Sequence, residues 1–384
     1  MKRKLALVMI VLFVVSFSLV GCNSGNNGAE TDDQGSIKIG VFGPTSGEVA
    51  AYGKAVVDSV KLAAEEINAN GGINGREIEI FDYDTKADKT EAINIYNKLK
   101  DQDEVVAIIG GTISGETLAV KELAIADNMP MLTPTATNLD VTVDAPSIFR
   151  ACYLDPYQGA AAARFTIDTL KAQSVAIIYN SDDAYSEGLA TSYKEVFDAE
   201  GLTITNYEGY TKNDVDFNAI LTEVKDKNPD VIFLPDYYDK VGKIATQIRN
   251  IGLDQVCVGV DGWDSVELEY AEQVEGYYFV NHFAKTDPEP VVQDFITAFE
   301  NKYGSQPNAL GALGYDSMYI MAEAINNAGA TDNESIVNAL AEIQYTGVTG
   351  NIEFDDQGDA KQKDIAIIKI VDGKHELIEK IKVD

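Results

Sequence analysis

Five stretches of this chain gather hydroxyls, backbone amides, aromatic rings and carboxylates in a pattern suited to holding a small charged molecule. Gly110 to Glu116 leads into a predicted helix, and the Ser114 hydroxyl with the amides that open the helix forms a site for a carboxylate. Thr133 to Asn138 adds the hydroxyls of Thr135 and Thr137 and the open amides around Ala136. Ser181 to Tyr185, Pro235 to Tyr238 and Asp261 to Asp264 supply the rings of Tyr185 and Tyr237 and the carboxylate of Asp261, which suit a cation with an apolar body. The first two stretches favour an anion and the last three a cation, so together they describe a receptor for a zwitterion. Taken singly, Ser114 and Thr137 read equally well as helix N-caps. Tyr185 and Tyr237 read as packing at strand ends. The agreement of five loops favours binding over either.

Catalytic patterns are missing. The two histidines, His282 and His375, have no metal-ligand partner at short spacing, so zinc or Ser-His-Asp chemistry is not expected. The chain has no G-x-S-x-G elbow, Walker A loop or G-x-G-x-x-G fingerprint. Asp82-Tyr83-Asp84 and Asp214-Val215-Asp216 begin like calcium loops but lack the glycine and glutamate that complete them, and are expected to be solvated turns. Neither an enzyme nor a cofactor or metal is anticipated.

The elements that must position these loops alternate. Strands are predicted at residues 37–42, 78–81, 105–109 and 129–132, with helices at 56–69, 90–99 and 117–126 between them. A second set follows, with strands at 175–179, 203–207, 231–234, 256–260 and 277–280 and helices at 159–170, 188–199, 217–225 and 239–250. Such alternation implies an α/β fold with two parallel sheets flanked by helices. In open α/β sheets, ligands bind beyond the carboxyl ends of strands, which is where the five stretches fall. The chain continues past the second set with helices at 291–303, 309–328 and 335–340 and a strand-rich tail. Cys152 and Cys257 sit in apolar, strand-like runs and are expected to be buried free thiols.

The chain begins with Lys2, Arg3 and Lys4, an apolar run from Leu5 to Val15, and then Leu19-Val20-Gly21-Cys22. This is the layout of a secretory signal, and the apolar run is too short for a stable span. Leu-Val-Gly-Cys resembles the lipobox of bacterial lipoproteins, which implies a signal peptide over residues 1–21 and lipid on Cys22. Residues 22–36 then form a flexible tether. The 62 acidic and 30 basic side chains give a net charge of −32, and three of the basic ones lie in the leader. That excess argues against nucleic acid and against adsorption to anionic lipid through the protein surface.

The sequence also resembles the branched-chain amino acid (Leu/Ile/Val) binding proteins of ABC importers. The likeness runs from about Ile37 to the C-terminus and rests on Gly43-Pro44-Thr45-Ser46-Gly47, on the run from Glu66 to Gly75, on Thr133 to Asn138, on Tyr185-Ser186-Glu187-Gly188 and on Gly314-Tyr315-Asp316. It implies a type I periplasmic-binding-protein fold of two Rossmann-like lobes, 37–154 plus 284–345 and 155–283 plus 346–384, joined by three hinge crossings near Leu154, Phe283 and Tyr345. It implies that Ser114 and backbone groups near Thr135 hold a ligand α-carboxylate, that Thr137 contacts the carboxylate or ammonium, and that Asp261 faces the ammonium. Tyr185 and Tyr237 would close over the ligand and Tyr52 would line the first lobe. Asp261 and Thr135 replace a glutamate and an alanine of that family, while Ala87 and Ile113 stand where enteric members carry a disulfide. The implied protein is a monomeric, lipid-anchored solute-binding subunit that delivers a small, mainly apolar amino acid to a permease. The same scaffold holding an amide, urea or aromatic acid, a sensory lipoprotein and an exported enzyme remain as alternatives.

Overall fold

The structure, a computed structural model, describes residues 35–361 and 364–382. The predicted leader, Cys22 and the tether as far as residue 34 lie outside the described residues.

The first sheet contains β1 (Ile37–Gly43), β2 (Ile78–Asp84), β3 (Ala107–Ile109), β4 (Met131–Thr133) and β5 (Ile148–Arg150). All are parallel, in the order β2-β1-β3-β4-β5. Every residue of β3, β4 and β5 is buried, as expected for parallel strands covered on both faces. The helices between them are α1 (Ala50–Ala69), α2 (Lys89–Lys98) and α3 (Ser114–Asp127).

α4 (Asp155–Asp168) leads into the second sheet. Its parallel strands are β6 (Ser174–Asn180), β7 (Thr203–Tyr210), β8 (Val231–Phe233), β9 (Val256–Gly259) and β10 (Tyr278–Asn281), connected through α5 (Ala184–Ala199), α6 (Asn218–Lys227), α7 (Tyr238–Asn250) and α8 (Glu267–Val274). The chain then runs through α9 (Pro290–Tyr303), α10 (Ala309–Ala328), α11 (Asn333–Ala341) and a hairpin of β11 (Gln344–Gly347) and β12 (Gly350–Glu353). It returns to the second sheet as β13 (Ile365–Val371) and β14 (Lys374–Ile381), both antiparallel, completing the order β14-β13-β10-β9-β8-β6-β7. Long after the first sheet is complete, α10 packs on α1, where Tyr319 donates to the Glu66 carboxylate at 2.8 Å and Tyr315 donates to it at 2.5 Å.

Three differences from the sequence reading have physical causes. α1 starts at Ala50, not at 56, so Tyr52 is helical. Gly53 and the flanking Gly47 weaken the local helix signal, and tertiary packing overrides it. The strand-like run that holds Cys152 is a strand only at β5, Ile148–Arg150, so that Cys152 lies beyond its end. Asp82-Tyr83-Asp84 is not a solvated turn but the end of β2. There the Asp84 carboxylate accepts the Thr45 amide at 2.9 Å and the Ser46 amide at 3.2 Å. Partial burial would raise its pKa, but the bonds from Ser46, Lys86 and Thr45 outweigh this and hold the carboxyl below its usual range. Cys152 and Cys257 are buried free thiols, and burial pushes the Cys257 thiol up to about 12.

Candidate functional site

In each sheet one strand has neighbours that leave it in opposite directions along the chain: β1 between β2 and β3, and β6 between β7 and β8. The carboxyl ends of strands near such a switch point leave a crevice. Here the crevices of the two sheets meet. One cleft is lined by Tyr52, Thr112, Ile113, Ser114, Thr135 and Leu310 from one side and by Tyr185, Tyr237, Asp261 and Gly262 from the other. The space between them is about 20 Å³, roughly that of one water, so an amino-acid-sized ligand enters only if the walls move apart.

The anion side is built around the start of α3. Ile113 is the N-cap and makes no side-chain cap. The Ser114 hydroxyl is therefore not a cap; it accepts the Asn138 amide at 3.2 Å. Thr135 donates from Oγ1 to the Thr112 carbonyl at 2.5 Å. The first amides of a helix have no intrahelical partner and carry the positive end of its dipole, so α3 opens onto the cleft as an anion site. Ile113 and Leu310, neither singled out from sequence, supply the apolar wall.

The opposite wall is aromatic and acidic. Asp183 caps α5 through the amides of Tyr185 and Ser186, which sets Tyr185 one residue inside the helix. Tyr237 precedes α7, and the two rings stack at 4.9 Å, 5° from parallel. Tyr185 donates from its hydroxyl to Asp261 Oδ1 at 2.6 Å and accepts the Gly262 amide at 2.8 Å. Asp261 also takes Gln158 Nε2 at 3.1 Å on Oδ1 and meets His282 Nε2 at 2.9 Å on Oδ2. The carboxylate expected to face a cation is thus already held by three side chains of its own half. Asp236, below Tyr237, bonds the Tyr210 hydroxyl, and burial pushes its carboxyl up to about 7.

Tyr52 joins the two walls. Its hydroxyl donates to the Gly262 carbonyl and accepts the Tyr238 amide at 3.1 Å. Its ring meets Tyr237 and Tyr238 edge-on at 5.9 and 5.2 Å.

Ala136 and Thr137 do not line the cleft. Both are wholly buried behind it. The Ala136 carbonyl accepts Arg150 at 3.1 Å, and the Asn138 and Leu139 carbonyls accept it at 2.8 and 3.3 Å. Arg150 also donates to Thr142 Oγ1 at 2.6 Å and to Asp359 at 2.5 Å. This arginine, missed from sequence, shapes the whole loop after β4. A lone guanidinium in the apolar run Ser147 to Cys152 was the available signal, because a buried charge must be paired. Among the described residues no three His, Cys, Asp or Glu side chains converge to hold a metal ion.

Residues 36–374 match the family described as periplasmic binding protein, and the chain belongs to that family. Among its relatives is the leucine-, isoleucine-, valine-, threonine- and alanine-binding protein of Pseudomonas aeruginosa, 30% identical over 335 residues, with 86% of this chain and 89% of the relative covered. Among solved structures, the chain is similar to the leucine binding protein LivK of Thermotoga maritima, at 32% identity and a TM-score of 0.85, covering 90% of this chain and 99% of the other. It is equally similar to the branched-chain amino acid transporter substrate binding protein LivJ of Streptococcus pneumoniae in complex with isoleucine. That match has 33% identity and a TM-score of 0.85, covering 91% of this chain and all of the other.

Proposed function

We propose that this protein is an extracytoplasmic solute-binding subunit of an ABC importer, anchored by lipid on Cys22, that captures a small, mainly apolar amino acid and presents it to a permease. The observation that carries the reading is the facing of unlike walls across one cleft. Ser114 and the start of α3 oppose Tyr185, Tyr237 and Asp261, with Ile113 and Leu310 closing the apolar side. An α-carboxylate fits the first wall, an ammonium the second, and an aliphatic side chain the space beside the rings. The names of the leucine- and isoleucine-binding relatives support this ligand class.

The mechanism is closure of two lobes, 37–154 plus 284–345 and 155–283 plus 346–384, about crossings near Leu154, Phe283 and Tyr345. Tyr52 is the latch, since its hydroxyl bonds both Gly262 and Tyr238 only when the walls are together. A ligand shifts the balance toward the closed form by its differential affinity for that form. The saturation of Asp261 by Tyr185, Gln158 and His282 favours one second reading, a carboxylic acid ligand with no ammonium.

Calorimetry with the twenty amino acids, and with 4-methylpentanoate as the deaminated counterpart of leucine, tests the proposal. Binding of leucine, isoleucine or valine is the expected result. Binding of the carboxylic acid alone supports the second reading.

A further inference from the structure

His282 stands where the second proposed crossing leaves the second sheet. It follows β10, directly before Phe283, and its side chain is wholly buried. Its ring stacks on Tyr153, which directly precedes Leu154 at the first proposed crossing, with centroids 3.6 Å apart and planes 23° from parallel. Two crossings far apart in sequence thus meet at one pair of rings. Hinges concentrate their rotation in a few residues, and contacts beside the rotation axis move least, so such a pair can persist while the lobes swing.

The same ring reaches the cleft wall. An ionised carboxylate only accepts, so His282 Nε2 is the donor in its 2.9 Å contact with Asp261 Oδ2. Asn281, one residue earlier, acts on the far end of the same turn. Its Nδ2 donates to Asp264 Oδ2 at 3.1 Å, and its Oδ1 accepts the His282 amide at 2.9 Å. Asp264 Oδ2 also accepts the amide of Ala309, the first residue of α10, at 2.7 Å. Between Asp261 and Asp264 lies Gly262, whose carbonyl accepts the Tyr52 hydroxyl from the opposite wall. Residues 261–264 are therefore held from behind by two consecutive side chains of the crossing and met from the front by Tyr52. Hydrogen bonds to an ionised group are the strong ones, and two of them on one short turn fix its position.

We propose that His282 is a positioning residue of closure. Stacked on Tyr153, it uses Nε2 to set the Asp261–Asp264 turn where Tyr52 engages it, so that the angle of the crossing and the shape of the cleft wall change together. The inference goes beyond the proposed function and rests on its two-lobe closure. The histidine acts through Asp261 and touches no ligand itself.

The test measures L-leucine binding by calorimetry and the radius of gyration by small-angle scattering on the parent, His282→Phe and His282→Gln. Phenylalanine keeps a ring on Tyr153 but has no donor for Asp261. Glutamine keeps a donor at much the reach of Nε2 but has no ring. His282→Phe should weaken leucine about tenfold or more, the worth of a hydrogen bond to a charged group, and should need correspondingly more leucine to contract. His282→Gln should bind within about threefold of the parent, since the bond to Asp261 survives. The cost of Tyr52→Phe should shrink in the His282→Phe background, because both residues act on one turn. A histidine that only supports the fold would leave that cost unchanged. Leucine binding by His282→Phe at the parent's strength overturns the inference, as does His282→Gln binding as weakly as His282→Phe, or an undiminished cost of Tyr52→Phe. A parent that neither binds leucine nor contracts overturns the proposed function together with this inference. A parent that does both, with variants that miss these expectations, overturns this inference alone.

Discussion

The Arg150 guanidinium and the Asp359 carboxylate meet at 2.5 Å across 209 positions of sequence, with the arginine side chain wholly buried. One charged pair thus ties the end of β5, and through it the binding loop after β4, to the segment that leads into β13. Breaking a buried pair leaves an uncompensated charge. Arg150→Met should destabilise the protein by about 3–5 kcal/mol. Arg150→Met with Asp359→Leu should recover part of that loss. Denaturant unfolding of both variants checks the order; equal stability of the single variant and the parent refutes the assignment.

The closed cleft depends on the absence of a side chain at Gly262. A Cβ there would stand 2.5 Å from Tyr185 Oη and 2.9 Å from the Asp236 carbonyl. Gly262→Ala should therefore hinder the bonds of Tyr185 to Asp261 and of Tyr52 to Gly262, at about 1–3 kcal/mol for overpacking. Ligand affinity should fall by roughly ten- to a hundredfold, read by calorimetry.

Tyr52→Phe removes the hydroxyl that spans the walls while keeping the ring. It should weaken closure by about 0.5–1.5 kcal/mol, the usual net worth of a hydrogen bond. Small-angle scattering should show the parent contracting on ligand addition and the variant needing more ligand for the same contraction. Tight binding with no change in scattering would remove the closure mechanism.

Three buried acids set the pH response. Burial pushes Asp155 up to about 8 and both Glu116 and Asp236 up to about 7. A carboxyl whose folded pKa lies above its unfolded value near 4 binds more protons folded than unfolded. Its contribution is full below pH 4 and is lost as the pH climbs through the folded value. Ligand-free protein should therefore melt at lower temperature at pH 8 than at pH 5, by up to about 1.4 kcal/mol per pH unit for each group in its window. Asp155→Asn should flatten the slope between pH 7 and 8. A melting temperature that rises across the range contradicts the sign.

Cys22→Ser should abolish membrane retention, either releasing mature protein or leaving uncleaved precursor. Detergent-phase partitioning that survives the substitution would rule out lipid on Cys22 as the anchor.

The sequence by itself determined the alternation of strands and helices, because buried parallel strands and amphipathic helices carry their period locally. It also determined which loops end the strands, and so most of the cleft: Tyr185, Tyr237, Ser114, Thr135 and Asp261 were legible as polar or aromatic residues at strand ends, and Tyr52 through the family likeness. Tertiary structure decided what those residues bond. Whether Asp261 is saturated depends on Gln158 and His282, more than a hundred and about twenty residues away, and no local pattern encodes that meeting. The grip of Arg150 on the loop after β4 and the burial of the Asp155 carboxyl likewise arise only when segments distant in sequence are packed together and water is excluded, since burial and pairing are properties of the folded neighbourhood, not of the residue.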